Sequence, residues 1–155
     1  MVKIISTVGG LTVLVGTFLS LFIGDLGWWN YNLVLNGWVN AFGGGDGSWV
    51  SDPIYFADNI IDMLPGVITS VGGLLLLLQN KPMTIVGGIL GLAGIGLFIY
   101  ALYSNSTLVS IVEGVGANMF WWEGGLGTYI RIGYGWIITG GGSVLGLLGT
   151  NQGSK

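Results

Sequence analysis

The side chains able to do chemistry are few, and they fall into small groups. Asp58 and Asp62 stand four residues apart, so a helix puts both carboxylates on one face. Such a pair can move a proton, or hold Ca²⁺ with help from carbonyl oxygens. No oxygen-rich loop at calcium spacing accompanies them, and no nucleophile or oxyanion donor is recognisable, so they read as polar decoration of a surface helix. Arg131 is the one basic residue besides Lys3, Lys81 and Lys155. Set in an apolar stretch, it calls for a carboxylate, and a structural ion pair with Glu123 or Asp62 is the expectation. A lipid headgroup, a partner subunit or a moving ion are the other uses for it.

Other motifs dissolve on inspection. Residues 43–48, three glycines followed by Asp46, Gly47 and Ser48, lack the lysine and the strand-to-helix setting of a phosphate loop, and read as a turn. Asn105-Ser106-Thr107 matches the glycosylation sequon, which marks Asn105 as a possible acceptor without implying catalysis. The ring pairs Trp28-Trp29 and Trp121-Trp122 can hold a quinone, a pigment or a lipid tail; their more ordinary use is as interfacial anchors. The chain contains no cysteine and no histidine. Disulfides, thiolate chemistry, a histidine triad and the usual zinc and iron–sulfur sites are thereby excluded. No cofactor, metal or catalytic residue is expected, and the chain reads as a non-enzyme. A formal charge of −3 with no Lys/Arg cluster argues against nucleic acid.

What remains is packing. Mean hydropathy is +0.79, only 7% of residues are charged, and 31 of the 155 are glycine. Residues 83–103 carry no charge, and a helix of that length reaches about 30 Å, the hydrocarbon thickness of a bilayer. Residues 4–24 are equally free of charge and read as a retained first transmembrane helix instead of a signal peptide. The expectation is therefore an all-α membrane protein forming one domain over residues 1–155. Its four transmembrane helices cover about 4–24, 60–79, 83–104 and 129–148. Lys3, Lys81 and Lys155 set both termini and the short middle turn on the cytoplasmic side of the plasma membrane. Outer loops 25–59 and 105–128, rich in rings, form an extracytoplasmic cap.

Small residues recur at helical spacing on the expected helices: Gly16, Ser20 and Gly24; Gly87, Gly91 and Gly94; Gly135, Thr139, Gly142 and Gly146. Such stripes let helix backbones approach closely. The plan resembles that of claudin-like and tetraspan proteins, although the paired loop cysteines of those proteins have no counterpart here. Three functions follow in order. The first is a non-catalytic structural or accessory subunit of a membrane protein assembly, with other membrane subunits, copies of itself and membrane lipid as partners. The second is a self-assembling scaffold or cell-contact protein. The third is a small channel or transporter subunit.

Overall fold

The computed structural model describes residues 2–23, 26–32, 36–43, 45–47, 60–104 and 106–151. Five α-helices and five strands follow in the order α1 (Val2–Phe18), β1 (Trp29–Asn32), β2 (Asn36–Val39), β3 (Gly45–Gly47), α2 (Ile60–Leu77), α3 (Lys81–Ser104), α4 (Ser106–Gly114), β4 (Trp121–Glu123), β5 (Tyr129–Ile132) and α5 (Tyr134–Asn151). The strands make one antiparallel sheet in the order β3-β2-β1-β5-β4.

The all-α, four-crossing architecture expected from the sequence is therefore corrected to a mixed α/β fold. Residues 129–132, assigned to the last helix, are strand β5. Their pattern Tyr-Ile-Arg-Ile alternates with period two and stops at Gly133, which is a strand signal hidden inside an apolar run. The tetraspan, multi-pass placement in the plasma membrane is corrected with it. Among the described residues, two helical segments are long and apolar enough to cross a membrane, Ile4–Leu21 and Lys81–Ser104. The apolar part of α2, Met63–Leu77, is shorter. In α5, glycine occupies six of 18 residues and dilutes the hydropathy.

Helices α1, α2, α3 and α5 are mutual neighbours around a ring, α1 touching α5 and α2, and α3 touching α2 and α5. The seams between them are backbone-close. A methyl group placed on Gly9 would stand 2.6 Å from the Gly146 nitrogen, and one on Gly72 would stand 2.6 Å from the Gly87 oxygen. Glycine costs helix stability in water, and here that cost is offset by the contact its missing side chain permits. Proline 65 lies inside α2 without ending it, and the Thr69 hydroxyl donates to the Pro65 carbonyl at 2.8 Å. A left-handed Gln79 (φ 56°) closes α2, and the Asn80 carbonyl then accepts from the Thr84 amide at the start of α3.

The sheet sits over the end of this ring where α1 and α3 finish and α2 and α5 begin. Burial alternates along β1, with Trp29 and Tyr31 inward and Asn30 and Asn32 half-exposed, as a strand with one covered face requires. The main apolar core lies there. Trp28, Trp29, Tyr31, Val39 and Ile130 meet Ile95, Phe98 and Leu102 of α3, together with Val112 and Met119.

Candidate functional site

The sequence-selected residues go to three places. Trp28 and Trp29, read as interfacial anchors, are 1% and 2% exposed and form the centre of the core. The Trp28 indole donates to the Gly16 carbonyl at 3.1 Å, and the Trp29 indole donates to the Met119 carbonyl at 2.7 Å. Trp28 also meets Phe98 edge-on, with ring centroids 5.1 Å apart. These rings thus fasten the sheet to α1 and to the 119–120 segment.

The small-residue set lies in the helix seams. Gly16 faces Gly135 and Thr139; Gly142 and Gly146 face α1 and Leu76; Gly87 and Gly91 face Gly72 and Ser143; Gly94 faces Pro65 and Thr69. Ser20 is buried, donates to the Thr17 carbonyl and accepts from the Ala41 amide. Gly24 and Asn105 lie outside the described residues, as does Asp58. Hydroxyls interrupt the seams at intervals. Ser6 donates to the Leu76 carbonyl at 2.7 Å, serving an acceptor that the end of α2 leaves over. Thr139 is different: its hydroxyl is buried and has no hydrogen-bond partner.

The third place is the outer face of the sheet. Register sets Trp38, Asn30, Arg131 and Trp121 opposite one another across β2, β1, β5 and β4, and sets Asn32, Tyr129 and Glu123 in the next row. Arg131 donates from Nη2 to Glu123 Oε1. Its guanidinium carbon lies 5.1 Å from the Trp121 ring and 4.8 Å from the Tyr129 ring. Both partners of the ion pair are about half-exposed, which puts its worth at roughly 0.2–1 kcal/mol. The rings add a cation–π attraction of about 0.5–1 kcal/mol at an exposed site. The carboxylate of Asp62, at the start of α2, lies outside the described part of the structure.

A cleft of about 230 Å³ opens between α3, α4 and the 117–119 segment, lined by Tyr103, Val109, Val112, Glu113, Ala117 and Met119. Typical small-molecule sites run from about 300 Å³ upward. Among the described residues no three His, Cys, Asp or Glu side chains come together as metal ligands would. Comparison with family models, curated proteins and solved structures finds no match.

The signal that sequence reasoning missed was the alternation in residues 29–32 and 129–132. It puts Tyr129 and Arg131 on one face of β5, whereas Trp121 joins them only through the register of β4.

Proposed function

We propose that the chain is a non-catalytic structural or accessory subunit of a membrane protein assembly, held there by the outward faces of its helices. One observation carries this reading. Most glycines of the four ring helices lie in seams inside the chain, and large apolar residues point outward at helical spacing. On α1 these are Ile4, Val8, Leu11, Val15 and Phe18; on α2 they are Met63, Val67, Val71, Leu74 and Leu78 at its C-terminal edge.

A stripe of that kind, about 22 Å long and 10 Å wide, exposes roughly 200 Å². Neighbouring stripes on α3 and α5 (Val86, Ile89, Leu92; Ile137, Val144, Leu148) extend the apolar surface around the ring. Contiguous apolar surface beyond a few hundred Å² marks a region that something else covers. Apolar helices of neighbouring subunits are the surfaces that fit it.

The test is gentle solubilisation of the tagged chain, followed by size measurement and identification of what co-elutes. Stoichiometric membrane subunits, lost together under harsher detergent, are the expected result. A stable monomer with no companion would remove the accessory-subunit reading. A concentration-dependent oligomer of this chain alone would transfer the role to the scaffold alternative.

A further inference from the structure

The outer face of the sheet turns away from the helix ring, and it gathers rings, amides and an ion pair where the described helix faces carry mainly apolar side chains. Trp121 is 57% exposed, Trp38 and Tyr129 are half-buried, and Asn30, Asn32 and the Arg131–Glu123 pair lie among them. The inward rings Trp28, Trp29 and Tyr31 complete the core without any of these three.

Size and charge decide what the face takes. Five strands about 4.8 Å apart, each about four residues long, present roughly 300 Å². Stable association between two proteins needs about 800 Å² on each side, so a second copy of the chain is too large an occupant for this face alone. The guanidinium is already paired with Glu123 and flanked by two rings, which leaves little field for a phosphate. The guanidinium takes one side of the Trp121 and Tyr129 rings, and the exposed remainder of the Trp121 ring keeps the negative π-density that attracts polarised C–H groups. The Asn32 amide donates to the Gly127 carbonyl, and its oxygen is the group that can accept from a hydroxyl.

We propose that this face is a binding site for a neutral oligosaccharide, with the Trp121, Tyr129 and Trp38 rings meeting the C–H faces of sugar units and Asn30, Asn32 and the Arg131–Glu123 pair meeting their hydroxyls. The site stands apart from the helix faces that the assembly role uses, so either reading can fail without the other.

The full chain in mild detergent is titrated with maltohexaose, cellohexaose and chitohexaose while tryptophan emission is followed. At least one should give a saturable change below about 10 mM. Trp121→Ala should weaken that binding about tenfold or more, and Trp121→Phe, which keeps a ring, should weaken it less than about threefold. Tyr100→Ala, on the exposed side of α3, should leave it unchanged. Circular dichroism and elution volume identical to the parent establish that each variant is folded. The proposal is overturned by silence with all three sugars, or by Trp121→Ala binding as tightly as the parent. It is equally overturned by a dimer that depends on Trp121, which gives the face to a second copy. Binding restricted to phosphatidylglycerol vesicles and lost in Arg131→Gln would give it to a phosphate headgroup.

Discussion

At the scale of single residues, three positions separate effects that composition alone would lump together. Ser6 and Thr139 are both buried hydroxyl residues in the helix ring, yet the Ser6 hydroxyl completes a hydrogen bond to Leu76 and that of Thr139 completes none. Ser6→Ala should lower stability by about 1–3 kcal/mol, because a buried acceptor loses its donor. Thr139→Val, which trades an unpaired hydroxyl for a methyl of similar shape, should be neutral or stabilising, within about 1 kcal/mol. Denaturant unfolding of the two variants side by side reads the difference, and equal losses would contradict it. Leu126 is fully exposed at the tip of the β4–β5 connection, with φ at 61°. A left-handed backbone costs a residue with a Cβ about 1–2 kcal/mol. Leu126→Gly should therefore raise the unfolding midpoint, and a lowered midpoint would show that the leucine is held by a contact.

At the scale of elements, glycine has two opposite meanings in the same helices. Gly72 in α2 lies against the backbone of α3, whereas Gly141 in α5 faces open space. Gly72→Ala must push two helices apart and should cost about 1–3 kcal/mol. Gly141→Ala fills nothing and should gain up to about 1 kcal/mol from helix propensity. Thermal unfolding of the pair checks the sign, and the same sign for both would defeat the seam description. The stripes were legible because four-then-three spacing needs no knowledge of partners. The sheet was not, for two reasons. Its strands are only three or four residues long, shorter than a periodicity window can register. They are also stitched from segments about 100 residues apart, since β1 pairs with β5. Of the candidate ion pair, Arg131 with Glu123 could be named from charge alone. Its place between Trp121 and Tyr129 depends on strand register, which no charge count contains.

At the scale of the whole molecule, the account rests on an inversion. The seams of the helix ring are lined largely by glycine, serine and threonine, with Val13 and Leu76 buried among them, while stripes of larger apolar side chains face out. The apolar effect drives such surfaces out of water wherever a cover exists. The chain has no cysteine, so a single introduced thiol reports one position without background. The most direct test compares Leu74→Cys, on the outward stripe of α2, with Leu126→Cys at the exposed tip. Both variants are treated with a water-soluble maleimide in freshly broken cells and again after purification in a short-chain detergent. The account predicts that the Leu126→Cys thiol reacts quickly in both preparations, and that the Leu74→Cys thiol is shielded in the cell extract. Equal, rapid labelling of the two thiols in the extract would mean that the outward stripe is bare to water, and would contradict the account.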